Sequence, residues 1–324
     1  MNNSIQYYSV GALLYCPAGN AGIAGSLISQ RFGNQFSLAL CLEDTINDDC
    51  VTDAENQLVH TIKTLFKNKK TRHFFIPRIF IRVRESKQIP NLLDRLNDAA
   101  ELVTGFIIPK FSLDNADEYI ETIVSANRNS NHTIYMMPIL ESPDIINLHN
   151  RYDILYRLKK KLDSVEEFVL NIRVGGNDLC HRFGFRRHSD ESIHRIRPVS
   201  NIFSDIITVF GMDYVVSGPV WEYYNGDNWD TGLKNELQDD RLCGFIGKTV
   251  IHPKQIALVN EAYKVSRKDL DDAKSILNWD TSSGFFVSGS VSRERMNEFK
   301  THSNWAARTL ILAEAFGVLQ DICK

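Results

Sequence analysis

Residues 165–178 read VEEFVLNIRVGGND, with Leu179 next. The run 168–174 is short, apolar and β-rich, the pattern of a buried strand. It stops at Gly175-Gly176, where the chain can turn tightly and admit a close neighbour. Asp178 follows two residues later. A carboxylate just past the carboxyl end of a buried parallel strand is where α/β barrels hold their chemistry. The same arrangement, apolar strand then polar exit, recurs along the chain.

Upstream, apolar runs fall at 9–20, 36–46, 73–85, 103–111 and 132–142; downstream, at 213–223 and 242–253. Helix-compatible stretches lie between most of them. The first, 53–67, puts Leu58, Val59, Ile62 and Leu65 on one face. Others fall at 92–102, 117–126, 154–162, 196–210 and 254–265. CHRFGFRRHSDES (180–192) reads as a long polar loop. Eight strand-like runs over about 250 residues match a TIM (β/α)8 barrel. The strands are continuously apolar, as when both faces are covered. A doubly wound open sheet is the competing α/β architecture, but no GxGxxG follows the first strand. The pattern predicts a catalytic barrel over 1–265. Residues 266–324 predict a Gly/Ser-rich bend and a long helix, a C-terminal helical extension acting as lid or oligomer arm.

The 324 residues are 43% hydrophobic and 24% charged, an enzyme-like mix with material for a large core. A net charge of −3 gives no reason to expect nucleic acid or an anionic membrane as partner. No apolar run approaches the roughly 20 residues that span a bilayer. The start, MNNSIQYYSVGALLYCPAG, lacks a basic segment and a long apolar core, so no signal peptide is expected. Cys16, Cys41, Cys50, Cys180, Cys243 and Cys323 are scattered, with no CxxC pair. That favours reduced thiols and a cytoplasmic location over disulfides or a thiolate metal site.

Glu43-Asp44, Arg82, Lys110, Glu141 and Asp178 fall at the exits of the second to sixth strands, and in a closed barrel these share one mouth. Glu141 and Asp178 make an oxygen-only pair suited to Mg²⁺. Arg82 offers a planar fork for a carboxylate. The duller alternatives are specific. An acid at a strand exit also serves as helix cap or surface charge. Glu43-Asp44 read best as holding Arg82 and Lys110 in place. Arg84 reads equally as a solvated charge. His252 reads as satisfying a backbone contact, and Trp221 to Trp229 as packing. Arg186-Arg187-His188 reads either as a phosphate-catching loop or as a solvated one.

The motifs ALLYCPAGN, CLEDTI, FIRVR, IIPK, ILES, GGNDL followed by RFG, and GFIGKTVIHPKQI occur in this order. Together they resemble the HpcH/HpaI aldolase/citrate lyase β-subunit superfamily, over about residues 10–260. The chain is most similar to a divergent C–C bond lyase branch associated with tellurite-resistance and stress gene clusters. The resemblance implies that Glu141 and Asp178 bind Mg²⁺. It implies that Arg82 binds a substrate carboxylate, with Glu43, Asp44 and Lys110 around it and Pro109, Gly175 and Gly176 lining the site. It further implies an enolate mechanism on a small keto or hydroxy acid, or its CoA thioester, and a homotrimer or hexamer whose arm covers a neighbouring site. This chain departs from the pattern in that arm. The acyl-CoA-cleaving members carry an Asp there; here the segment reads GSVSRERMNEF, and Glu294 is the candidate acid/base replacement. Two alternatives stay open. One is a lyase acting on a phosphorylated or nucleotide-linked substrate, and the other is a non-catalytic metabolite-binding subunit.

Overall fold

The computed structural model describes residues 4–282 and 284–320. Eight parallel strands form one sheet: β1 (Ala12–Pro17), β2 (Ser37–Cys41), β3 (Ile79–Arg82), β4 (Val103–Ile108), β5 (Tyr135–Leu140), β6 (Ile172–Val174), β7 (Val216–Ser217) and β8 (Lys248–Val250). Each pairs with the next, and β8 pairs with β1. A bridge between Gly218 and Lys248 joins β7 to β8 and closes the ring. The expected TIM barrel is therefore the observed one.

Most inter-strand helices also fall where expected. They are α3 (Val51–Lys69), α4 (Gln88–Leu96), α5 (Ala116–Arg128), α6 (Arg151–Asp163), α8 (Arg197–Phe210) and α10 (Lys254–Ala262). Two short helices, α1 (Ile5–Tyr8) and α2 (Ile23–Ile28), precede them. The loop expected from 180 is different: α7 runs Gly176–Phe183, starting directly at the second glycine, and ends on Gly184 at φ +69°. The polar loop begins only there. Helix α9 (Trp229–Cys243) lies where no element was expected. Its buried face is Gly232, Leu233, Glu236, Leu237 and Asp240, so two acids stand at core positions and mask the apolar period.

The side chains divide into two cores. Leu14, Leu38, Leu40, Ile81, Phe106 and their neighbours fill the layer between strands and helices. Leu13, Ala39, Phe80, Ile107, Met137 and Ile246 fill the barrel itself. Tyr7 and Tyr8 of α1 belong to this inner cluster, and Ile311, Leu312 and Phe316 pack against it. These last three lie on α12 (Phe299–Phe316). The C-terminal extension thus packs on the amino end of its own barrel, opposite the mouth. It consists of α11 (Arg267–Leu277), a hairpin of β9 (Val287–Gly289) and β10 (Met296–Glu298), and α12. Of these, the sequence pattern predicts a Gly/Ser-rich bend and the last helix, but neither α11 nor the hairpin. Ser266, whose hydroxyl accepts from Asp269 N at 3.0 Å, caps α11 and was its available signal.

Five cysteines are free; Cys16, Cys41 and Cys180 are buried, while Cys50 is exposed. Cys323 lies outside the described residues. No helix among the described residues is long and apolar enough to cross a membrane.

Behind β8 lies a buried charge network. Lys248 Nζ donates to Glu236 Oε1 at 2.9 Å and to Asp240 Oδ2 at 2.6 Å. Arg187 Nη2 reaches Glu236, and His194 Nε2 lies 2.8 Å from Asp240 Oδ1. Burial alone would lower the His194 pKa, but the hydrogen bond to Asp240 outweighs it and raises it to about 9. A group raised in the fold gives stability that is whole below its unfolded value and lost as pH climbs through the folded one. Stability should therefore fall by roughly 2–3 kcal/mol between about pH 6.5 and 9 from this group. Urea unfolding across that range should show a flatter profile for His194→Gln.

Candidate active site at the carboxyl ends of the strands

Arg82 ends β3, and Glu43-Asp44, Lys110 and Glu141 follow the ends of β2, β4 and β5 within three residues. Parallel pairing of these neighbours brings the exits to one rim. Arg82 Nη2 lies 2.7 Å from Glu43 Oε2, 2.9 Å from Asp44 Oδ2 and 3.4 Å from Glu141 Oε1. Lys110 Nζ pairs with Glu43 Oε1 and lies 3.2 Å from Asp44 Oδ1. Glu43-Asp44 therefore do hold Arg82 and Lys110 together. Burial lowers the guanidinium pKa, but the Tyr15 hydroxyl and the Glu141 and Glu43 carboxyls outweigh it, leaving Arg82 firmly charged.

Lys110 has φ +48°, a left-handed conformation rare for a residue with a side chain. That turn sends its backbone N–H to Glu141 Oε1 at 3.0 Å while the side chain reaches Glu43. Strain of this kind gathers at functional sites. Arg84 is no solvated charge. Its Nε donates to Leu42 O at 2.6 Å and its Nη2 to Glu43 O at 3.3 Å, and it pairs with Asp48. It staples the loop that carries the acid pair. Only its position two residues after Arg82, across a loop, could have suggested this.

Glu141 is buried. Burial first, and the charge of Asp178 further, raise its pKa to about 8 against the pull of Arg82. Asp178 sits half-buried in the first turn of α7. Gly175 is required by contact, not by φ: a Cβ there would overlap the Glu141 carboxylate, with Cδ at 2.8 Å. At Gly176 a Cβ would meet Ile193 Cδ1 at 2.6 Å and Pro219 Cβ at 2.8 Å, which seats the start of α7. Pro109 is buried beside Lys110. Burial and the hydrogen bond with Asp44 push Glu43 up. For Asp44, burial is outweighed by Glu43, Arg82 and Lys110, and its pKa is lowered.

Glu43, Asp44 and Glu141 crowd Arg82, and Asp178 adds its charge near Glu141; with all four ionised they outnumber Arg82 and Lys110 by two, a charge that a divalent cation would offset. Among the described residues no three His, Cys, Asp or Glu side chains gather at metal-binding distances. Any ion here would rest on Glu141 and Asp178 with the remaining positions left to water or ligand. That is the usual manner of Mg²⁺, and the all-oxygen donor set fits it.

Other singled-out residues fall elsewhere. Glu294, exposed on the hairpin, pairs with Lys268 at 2.6 Å and touches no rim residue of its own chain. Arg187 is buried against Glu236, while Arg186 is exposed and 3.5 Å from Glu222, so the two do not form one phosphate fork. His252 Nδ1 accepts from Lys254 N at 3.2 Å, the expected backbone contact. Trp221 is fully buried packing.

The fold and this rim define a TIM barrel with an acid-rich mouth. The chain belongs to the family of C–C bond lyases of the TIM-barrel fold, which it matches over residues 4–318. A stretch of 62 residues is 36% identical to an L-malyl-CoA/β-methylmalyl-CoA lyase of Cereibacter sphaeroides. That match covers 19% of this chain and 18% of the relative, so the chain spans under a fifth of the length of the curated relatives it matches. A citrate lyase of Burkholderia xenovorans LB400 shares the fold with TM-score 0.70 at 16% identity, over 97% of this chain and 94% of that one. The CitE protein of Mycobacterium tuberculosis, in complex with magnesium, acetoacetate and coenzyme A, gives 0.61 at 17% identity, over 95% and 99%.

Gly175→Ala should displace Glu141 and destabilise the protein by about 1–3 kcal/mol. Urea unfolding measures this; an unchanged midpoint would mean that the carboxylate is not held where it lies.

Proposed function

We propose that this protein is a Mg²⁺-dependent carbon–carbon lyase that breaks or forms the bond between a small keto-acid fragment and an acyl group, with a CoA thioester as the larger partner. What supports this reading best is Glu141, buried 3.4 Å from Arg82 Nη2 and near enough to Asp178 for that charge to raise its pKa. Glu141 and Asp178 would hold the ion, which when bound supplies Lewis-acid stabilisation of charge on the substrate's carbonyl oxygen. Arg82, fixed by Glu43 and Asp44, sets a permanent positive charge against the carboxylate end of the fragment. Lys110 keeps the acid pair charged and in place. Gly175, Gly176 and Pro109 give backbone that a ligand can approach closely. The magnesium, acetoacetate and coenzyme A of the CitE complex, and the oxaloacetate and magnesium of a second M. tuberculosis citrate lyase β-subunit structure, support the ligand classes by analogy of fold.

Glu294 reaches no rim group of its own chain, so proton transfer by it requires the mouth of a second copy, as in a trimer or hexamer. The phosphorylated-substrate reading loses its main support with Arg187 committed to Glu236. A non-catalytic role leaves the excess negative charge of the rim without purpose.

Asp178→Asn should weaken Mg²⁺ binding at least about 100-fold by calorimetry; unchanged affinity would refute the metal site. A proton competes for Glu141 up to about pH 8. Mg²⁺ affinity should therefore rise with pH, by up to about tenfold per unit, and level off above pH 8. Lyase function predicts Mg²⁺-dependent deuterium exchange at the pyruvate methyl group, read by NMR. No exchange with any keto acid tested would favour the binding-subunit alternative.

A further inference from the structure

Among the described residues, the other buried charged side chains have ionic partners. Arg82 has three carboxylates, Arg151 has Asp205, Arg187 has Glu236, Lys248 has Glu236 and Asp240, and Asp272 has Arg295. Arg173, only 2% exposed, has none. Its contacts are hydroxyls: Nη2 donates to Thr249 Oγ1 at 2.7 Å, and the Tyr15 hydroxyl lies beside it. Its Nη1 is buried with no partner, and so are both amide atoms of Asn171 two residues earlier.

The direction of this side chain follows from the topology. The sheet neighbours of β6 are β5 and β7, yet Tyr15 belongs to β1 and Thr249 to β8. Arg173 therefore crosses the barrel interior. Tyr15 also lies with its ring 6.0 Å from the Arg82 guanidinium carbon. A column runs from Arg173 through Tyr15 to Arg82 and the rim acids. A guanidinium stays charged even when buried, and such a charge without an anion is costly. Removing the cost needs an anion, and the described residues provide none there.

We propose that Arg173, with Tyr15 and Asn171 beside it, is an anion-recognition subsite at the floor of the barrel mouth. It receives a second carboxylate of the small substrate fragment, while Arg82 and the rim acids hold the reacting end. This rests on the lyase reading above for the identity of the ligand, not for the existence of the subsite.

The test is calorimetric titration of the full-length protein and Arg173→Met with pyruvate (one carboxylate) and oxaloacetate (two), each with and without Mg²⁺, alongside thermal melting. The native protein should prefer oxaloacetate by about tenfold to a hundredfold. Arg173→Met should bind oxaloacetate no better than pyruvate, keep its pyruvate and Mg²⁺ affinities within about threefold, and melt no lower than the native protein, because an uncompensated charge has been removed. Equal affinity for the two acids in the native protein, or a preference that survives in Arg173→Met, overturns the subsite. Should Arg173→Met fail to fold, Tyr15→Phe carries the test: a loss of about three- to tenfold for oxaloacetate alone supports it, and no loss overturns it. Binding of both acids that is unchanged by Mg²⁺, with a preference that still depends on Arg173, would sink the metal-dependent lyase reading and leave the subsite standing. No binding of either acid would overturn both.

Discussion

One nitrogen of Arg82 lies among three carboxylates, and the mouth of the barrel is organised by that contact. The acids come from the exits of two other strands, and Lys110 ties in a fourth exit through Glu43. A buried guanidinium can hold that many partners because its charge never titrates away and its planar fork presents donors in fixed directions. The acids in turn cannot separate without stranding it. The geometry of the rim is therefore over-determined, which is what allows Lys110 to persist in a left-handed conformation and Glu141 to lie against a bare backbone.

The molecule carries a second charge network, behind β8, and the comparison is instructive. Lys248, Glu236, Asp240, Arg187 and His194 pair among themselves and are almost wholly shut from solvent. Glu236 also accepts from Ile193 N at 2.8 Å, and Ile193 packs where a side chain on Gly176 would be. This closed network sets the chain beside the start of α7, and with it the place of Asp178. The rim network is half open and carries excess negative charge. Closed clusters whose charges are all paired hold shape; half-open ones hold ligands.

Strand exits were legible along the chain because a buried parallel strand is an unbroken apolar run, and a charge at its end stands out. Glu43, Asp44, Arg82, Lys110, Glu141 and Asp178 were all found in that way. What escaped has a common cause. Helix α9 buries Glu236 and Asp240, Arg187 is buried opposite them, and Arg84 bonds to the carbonyls of a loop 40 or so residues earlier. A buried charge looks like surface until its partner is known, and these partners lie far off in the sequence.

By itself, then, the order of apolar runs and polar exits determined the barrel, its carboxyl rim and the residues that meet there, since hydrophobic period and strand direction are local properties. Only the tertiary structure decided how those charges are shared. It engaged Arg82 with acids, put Arg187 and Lys248 into a closed cluster, and left Arg173 in the interior with hydroxyl partners but, among the described residues, no carboxylate. Pairing of charges depends on distance through space, and adjacency along the chain carries no information about it.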